Sequence, residues 1–166
     1  MTRSPRSVSS FTPVRLLRHA LCLVAAAAWP AAASAALGGT VASVEADRIH
    51  AQGSLTRIVR SDTYALHEIR SAAGTMIREY VSSSGTVFAV AWQGPWMPDM
   101  SQVLGAHYEH YQRAMTARAR TRRSRGLVVI DDQDLVVQMS GHPRSFSGRA
   151  YIPGLVPQGM QIDAIK

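Results

Sequence analysis

The chain has 166 residues, with 18 lysine and arginine residues against 11 aspartate and glutamate residues, and a net charge of +7. This length suits one domain with a buried core. The single cysteine, Cys22, lies in a segment that we expect to be removed. Disulfides, thiolate metal sites and cysteine nucleophiles are therefore excluded from the mature protein.

The first 35 residues have the pattern of an export signal. Four arginines and no acidic residue accompany an apolar run from Ala20 to Trp29, and Ala33-Ser34-Ala35 fits the small-x-small rule for cleavage. The run is about 10 residues long, too short to cross a bilayer as a helix. We predict a cleaved signal peptide over residues 1–35, with an uncleaved anchor as the alternative. The mature protein is then periplasmic or secreted and has no transmembrane segment.

The high charge of the chain is local. Removing residues 1–35 takes away four arginines and no acidic residue, so the net charge falls from +7 to +3. Six of the 14 remaining basic residues lie between Arg113 and Arg125, and the rest of the mature chain has a net charge of −3. The fold itself is not predicted to be basic.

Residues 36–56 are small, polar and weakly patterned, which predicts a mostly irregular N-terminal arm, with a short helical or extended piece as the alternative. Residues 57–166 are predicted to form a single domain. Its first strands are expected in three β-rich runs, residues 63–70, 75–82 and 86–94, which Gly/Ser breaks of hairpin length separate. In the third run, simple alternation places Phe88, Val90 and Trp92 on one large face that a helix should cover.

A helix is predicted after the third strand. Asp99 with Gln102 three residues later is typical of a capping box. Fraying is expected near residues 116–120, where Arg118 would extend the apolar stripe. The stripe at helical spacing consists of Met100, Val103, Leu104, His107, Tyr108, Tyr111 and Met115.

The C-terminal part is predicted to be β-rich again. Two apolar runs around the acidic turn at residues 131–134 indicate a hairpin, and residues 144–152 indicate a last strand. The order is then β-β-β-α-β-β-β. The predicted fold class is α+β, with an antiparallel sheet of about six strands packed on one long helix.

Four stretches of this sequence resemble a known family. They are ALGG at residues 36–39, REYVSSSGTVFAVAWQGPWMPD at residues 78–99, the LG..Y..Y pattern of the helix, and SGHPRSFSGRAYIPGLVPQG at residues 140–159. Together they are similar to the domain of unknown function family 2844, a family of small exported proteobacterial proteins. The resemblance covers nearly the whole mature chain. It implies an exported protein without an assigned activity, and it supplies no catalytic residues.

The helix histidines invite a metal interpretation. His107 and His110 are three residues apart, a spacing that can place two imidazoles on one ion. They do not form the His-Glu-x-x-His arrangement of metalloproteases. A third ligand would have to come from His67 or His142, so two ligands fall short of a zinc site. We predict no metal and no cofactor.

A Ser-His-Asp site would have to combine Ser140 and His142 with Asp131, Asp132 or Asp134. The strained Gly-x-Ser-x-Gly elbow that presents such a nucleophile is missing. Aspartates are also favoured in a hairpin turn for backbone reasons. We therefore predict no catalytic residue and more readily a protein without enzymatic activity. A periplasmic hydrolase with a histidine-centred site stays open as an alternative.

The arginine run could bind a polyanion such as lipopolysaccharide or an acidic polysaccharide. Export and the lack of interleaved aromatic residues argue against nucleic acid. The alternative is a solvated helix end, where the helix dipole favours cations. The candidate polyanion-binding residues are Arg118, Arg120, Arg122, Arg123 and Arg125.

The two tryptophans of the strand–helix corner have different expected fates. Trp92 is predicted to be buried beneath the helix. Trp96 follows Gly94-Pro95 and could either cap the core or present an apolar platform for a ligand or partner. The sequence thus favours a non-enzymatic binding or interaction module of the cell envelope, with an unknown partner. The candidate ligand-binding residues are Trp96, Arg144, Arg149 and Tyr151.

Overall fold

The computed structural model describes residues 37–41, 44, 48–49, 52–121 and 127–166. The predicted signal peptide over residues 1–35 lies outside the described residues, as do three of the candidate polyanion-binding residues, Arg122, Arg123 and Arg125. Of the predicted N-terminal arm, Val41, Val44, Arg48 and Ile49 are helical.

The described strands form one antiparallel sheet of seven strands. They are β1 (Ser54–Arg60), β2 (Tyr64–Arg70), β3 (Met76–Ser82), β4 (Val87–Gly94), β5 (Val128–Asp131), β6 (Val136–His142) and β7 (Ser145–Tyr151). Their order in the sheet is β1-β2-β3-β4-β7-β6-β5. The sheet therefore consists of two meanders that meet where β4 pairs with β7.

The strand that the sequence did not predict is β1, so the prediction of six strands is wrong by one. This edge strand is exposed at six of its seven positions. Without a buried face it has no alternation of apolar and polar residues, and alternation is the main sequence signal for a strand.

The predicted long helix is confirmed as one helical segment in three parts. These are α1 (Met100–Leu104), a 3-10 turn (Gly105–His107) and α2 (Tyr108–Thr121). Asp99 is the N-cap, because its Oδ1 accepts hydrogen bonds from the Ser101 N–H at 2.9 Å and from the Ser101 hydroxyl at 2.6 Å. The fraying expected near residues 116–120 is wrong. Helix α2 continues to Thr121, and Arg118 donates a 2.7 Å hydrogen bond to the Leu127 carbonyl.

The sheet buries apolar side chains on both faces. On the helix face, which we define as the face that α1 and α2 cover, Val90 and Trp92 pack with Leu104 in one core cluster. On the tail face, which residues 153–166 cover, Ala89 and Ala91 pack in a second cluster. Trp92 is 1% exposed, which confirms its predicted burial beneath the helix.

Phe88 lies on the tail face, contrary to the prediction that it shares a face with Val90 and Trp92. The cause is a β-bulge. Tyr80 of β3 pairs with Ala89 whereas Val81 pairs with Val87, so Phe88 is the extra residue of β4. A bulge inserts one residue and shifts the alternation of side chains beyond it.

The C-terminal tail is bound to the tail face by three polar side chains, Tyr80, Arg149 and Arg78, as well as by its apolar residues. Ile165 is 1% exposed within the second cluster. The Tyr80 hydroxyl donates to the Ala164 carbonyl at 3.1 Å and accepts from the Lys166 N–H at 3.1 Å. Burial raises the pKa of this hydroxyl, so it stays protonated and able to donate. Arg78 donates a hydrogen bond to the Lys166 carbonyl at 3.2 Å, and Arg149 bonds the carbonyls of Ile162 and Ile165.

Candidate functional site

The corner between β4 and α1 has a fixed backbone. The hydroxyl of Thr75, a residue that is 2% exposed, donates to the Trp96 carbonyl at 2.8 Å and accepts from the Trp96 N–H at 3.4 Å. The two chain segments approach so closely that a Cβ atom at Gly94 would lie 2.5 Å from the Thr75 Cα. Thr75 therefore holds both the carbonyl and the N–H group of Trp96 in place.

The side chain of Trp96 is 59% exposed and that of the neighbouring Met97 is 38% exposed. Of the two alternatives for Trp96, the structure shows the exposed ring and no core cap. An exposed indole costs free energy in water, because a large apolar surface remains solvated.

A cavity of about 280 Å³ lies between this corner and the helix face of β2 and β3. Apolar side chains form most of its wall, among them Ile69, Ile77 and Val103, and Trp96 and Met97 lie at its mouth. The volume is close to the lower end of small-molecule sites, at about 300 Å³. The cavity can therefore hold a small ligand or a single side chain.

The lining of the cavity is acidic as well as apolar. Glu79 of β3 is 1% exposed and lies on the inner wall, and the exposed Asp99 lies at the rim. Among the lining residues that the structure describes, no side chain is basic.

Arg149 and Tyr151, two of the four candidate ligand-binding residues, lie on the tail face. The Arg149 Nε donates to Gln138 Oε1 at 2.9 Å, and its Nη1 donates to the carbonyls of Ile162 at 2.8 Å and Ile165 at 3.1 Å. The Tyr151 side chain packs against the cluster beneath the tail. The donors of Arg149 thus bind the chain itself.

The other two candidates lie apart from this pair. Arg144 occupies the two-residue turn between β6 and β7, with φ 70°, and Trp96 lies at the mouth of the cavity on the helix face. The structure does not bring the four candidates into one surface. The cavity at Trp96 is the part of the proposed surface that has the shape of a site.

Sequence reasoning missed Thr75, Glu79 and the cavity itself. Thr75 lies at the end of the turn between β2 and β3. Its hydrogen-bond partner, Trp96, is 21 residues away in the sequence. The available signal was the Gly94-Pro95 pair, because a strand-end glycine often marks a close backbone approach. That signal does not identify the partner.

His110 of the helix contacts the acidic turn between β5 and β6. The Nε2 of His110 lies 3.1 Å from Oδ2 of Asp132. A base and an orienting carboxylate are part of a hydrolase site, but among the described residues no hydroxyl nucleophile lies within hydrogen-bond distance of His110. In the same part of the chain, no group of three His, Cys, Asp or Glu residues could hold a metal ion.

Two other histidines are placed where protonation is unfavourable. Burial lowers the pKa of His67, and the charge of Arg60 lowers it further. Burial also lowers the pKa of His107, with a further decrease from His110 and an opposing increase from Asp134. Both groups are therefore neutral in the folded protein at neutral pH.

These shifts predict that the protein loses stability in mild acid. The ordinary histidine pKa is 6.5, so the unfolded chain takes up protons before the folded protein does as the pH falls through this value. We expect the free energy of unfolding from urea titrations to decrease from about pH 7.5 to about pH 5.5. Combined His67→Gln and His107→Gln substitutions should flatten this dependence, whereas His142→Gln at the exposed end of β6 should not. A wild-type stability that rises towards pH 5.5 would contradict the prediction.

The described part of the arginine run is partly engaged within the fold. Arg118 donates to the Leu127 carbonyl, and Arg113 lies 4.0 Å from Glu109 on the exposed side of α2. Arg120 is exposed near the end of the helix. Polyanion binding by this run stays a prediction.

The comparisons with known proteins identify a family and no further relative. The model of the family described as "Protein of unknown function (DUF2844)" matches residues 33–165. No curated protein and no solved structure matches the chain. In the part of the chain that the structure describes, none of the helices has the length and apolar character needed to span a membrane.

Proposed function

The chain belongs to the DUF2844 family of proteins of unknown function, and we propose that it is an exported, non-enzymatic binding module of the cell envelope. Its site is the corner cavity, and its ligand has an apolar part that covers Trp96. The observation that carries this proposal is the exposed Trp96 ring, on a backbone that Thr75 holds in place, at the mouth of the cavity.

Physical reasoning supports this site over the other exposed apolar residues. A ligand that covers the Trp96 ring removes a large apolar surface from water. The bonds of Thr75 to Trp96 fix the backbone before binding, so little ordering entropy is lost on association. A cavity beside the ring adds a concave surface, which a lone exposed side chain lacks.

Export is proposed from the N-terminal sequence. The arginines, the apolar run and the Ala33-Ser34-Ala35 motif of residues 1–35 have the order of a signal peptide. The family match begins at residue 33, next to the predicted cleavage point. Fractionation of cells that express the full chain, with N-terminal sequencing of the exported form, tests this part of the proposal.

The binding site can be tested by NMR on the full ¹⁵N-labelled chain. Single Trp→Phe variants assign the three indole N–H resonances, and a panel of small aromatic alcohols and amines is then titrated. We expect the resonance of Trp96 to shift while that of the buried Trp92 moves little, because only Trp96 lies at the cavity mouth with an exposed ring. The Trp96→Ala variant, followed through the backbone amide resonances of the cavity lining, should bind at least about tenfold more weakly, since one buried tryptophan commonly contributes more than 1 kcal/mol.

The matched control is Leu155→Ala, which removes an apolar side chain that is 41% exposed and lies in the C-terminal tail, apart from the cavity. It should leave the dissociation constants unchanged. If no member of the panel shifts the Trp96 resonance, or if both variants bind as wild type does, the cavity is not the binding site. Turnover of ester or glycoside substrates by the purified protein would contradict the non-enzymatic part of the proposal.

A further inference from the structure

We infer that the partner of the cavity is a second copy of this chain, and that two copies insert their Trp96 rings into each other's cavity across a two-fold axis. This inference rests on the proposed binding function of the same cavity and names the partner. It depends on the fit of the ring to the cavity, on the place of the ring beside the opening, and on the composition and area of the surrounding surface.

The cavity is large enough for an indole ring. Its volume is about 280 Å³, whereas an apolar cavity of about 150 Å³ already holds a benzene molecule. Behind the mouth, Ile69, Ile77 and Val103 form an apolar wall, and all three belong to the core beneath the helix or pack against it. A ring that enters this space exchanges contact with water for contact with apolar side chains.

The ring and the opening lie on one surface. Trp96 is 59% exposed and lines the mouth, and the cavity beside it stays open in the single chain. In a two-fold dimer the same patch of each copy must supply both sides of every contact. A surface that presents a protruding ring next to an opening meets this condition, because a two-fold rotation places each ring against the opening of the other copy.

The surface around the mouth has the composition of an interface centre. Trp96 and Met97 are exposed, Pro98 follows them, and the exposed Ala73 of the turn between β2 and β3 lines the same cavity. Tryptophan and methionine are enriched in protein interfaces, and charged residues are depleted at their centre. A protein surface of the same composition is therefore a suitable cover, and the second copy carries that surface.

The available area predicts a weak dimer. A buried aromatic side chain covers about 150–250 Å². Two exchanged rings, with Met97 and Pro98 of each copy, therefore stay below the roughly 1,600 Å² of a standard stable interface. Interfaces under about 1,200 Å² are typical of transient complexes. We expect a dissociation constant on the order of 0.1 mM, so that monomer and dimer coexist at concentrations that NMR can reach.

The first test varies the concentration of the full ¹⁵N-labelled chain from about 10 μM to about 1 mM, on either side of the expected dissociation constant. The indole N–H resonance of Trp96 should shift with concentration while that of the buried Trp92 moves little. The average mass from sedimentation should rise towards that of a dimer. Trp96→Ala should weaken the dimer at least about tenfold, whereas Leu155→Ala, in the tail, should leave it unchanged.

The second test blocks the opening. Ala73→Phe places a ring at the mouth and should weaken the dimer at least about tenfold. The matched control is Ala72→Phe, the same change one residue earlier in the same exposed turn, at a residue that does not line the cavity. It should keep the dimer.

A mixture of two variants tests the insertion itself. Ala73→Phe keeps the exposed Trp96 ring, and Trp96→Ala keeps the open cavity, so together they can form one of the two contacts. Unlabelled Trp96→Ala added to ¹⁵N-labelled Ala73→Phe should shift the Trp96 resonance. Unlabelled Ala73→Phe, added in the same amount, should not.

The outcomes separate this inference from the proposed function. A resonance and an average mass that stay constant up to about 1 mM, at roughly tenfold the expected dissociation constant, would overturn it. So would a dimer that both Trp96→Ala and Ala73→Phe leave intact, an average mass above that of a dimer, or a mixture without a shift. If benzyl alcohol still shifts the Trp96 resonance in such a case, the cavity is a site and only the partner is wrong. If it does not, the binding function of the cavity is wrong as well.

Discussion

Replacing Phe88 with alanine should lower the free energy of unfolding by about 3–5 kcal/mol, the usual range for truncation of a fully buried phenylalanine. Phe88 is 0% exposed, and its ring lies 6.2 Å from that of Tyr80 and 6.4 Å from that of Tyr64. The substitution removes the ring on which the two tyrosines pack and leaves a cavity beneath the tail. Urea unfolding followed by circular dichroism measures the loss.

Substitutions of Phe88 also test on which face of the sheet its side chain lies. In double-mutant cycles, Phe88→Leu should couple with Ile165→Ala by about 0.5 kcal/mol or more, because the two side chains share the tail-face cluster. With Leu104→Ala, on the helix face, the two effects should add within about 0.5 kcal/mol. Coupling with Leu104 in place of Ile165 would restore the regular alternation that the sequence predicted and contradict the bulge.

The bulge shows why the sequence could not predict on which face of the sheet each side chain of β4 lies. Alternation assumes that each residue of a strand has one partner, and under that assumption Phe88 belongs with Val90 and Trp92. The extra residue is fixed by the pairing of β3 with β4 and by the Ile152 N–H, which donates to the Phe88 carbonyl at 3.0 Å. Ile152 is 64 positions further along the chain, so no local pattern contains this information.

The helix could be predicted because its signals are local. The cap at Asp99 and the spacing of Val103, Leu104, Tyr108 and Tyr111 lie within a few residues of one another, and all of these apolar residues pack on the sheet. The cavity is the opposite case. Its wall combines Ile69 of β2, Glu79 of β3 and Val103 of α1, which only the folded sheet brings together. The sequence could indicate Trp96 as a candidate but not the space beside it.

Arg149 shows a different limit of sequence reasoning. An arginine next to aromatic residues on a last strand favoured a ligand-binding interpretation. In the structure its guanidinium bridges Gln138 of β6 to the carbonyls of Ile162 and Ile165 in the tail. These contacts could not be foreseen because the tail has little pattern of its own. It folds back onto the sheet through them, through hydrogen bonds with Tyr80 and Arg78, and through the apolar cluster.

Arg149→Met should therefore lower the free energy of unfolding by about 2–4 kcal/mol and detach the C-terminal tail. Methionine keeps most of the apolar stem of arginine, so the lost stability comes from the three hydrogen bonds. It includes the cost of leaving their acceptors, at Gln138, Ile162 and Ile165, without this donor. Hydrogen bonds to a charged group contribute about 1.5–3 kcal/mol each before such compensation. The contact of Arg149 with Asp163, at 3.8 Å from an almost fully exposed carboxylate, should contribute little.

The measurement combines urea unfolding with hydrogen exchange of the tail amides, because loss of the Arg149 contacts should affect the tail locally as well as the global stability. The amides of Ala164 and Ile165 should exchange faster in Arg149→Met, while those of α2 change only with the global stability. Arg149→Lys should recover little, since an ammonium group cannot reproduce the fork that reaches three acceptors. Arg144→Met makes the same chemical change at a hairpin turn and should stay within about 0.5 kcal/mol of wild type. Equal stability of the Arg149→Met and Arg144→Met variants, with an unchanged tail, would mean that the apolar cluster and the hydrogen bonds of Tyr80 and Arg78 hold the tail without Arg149.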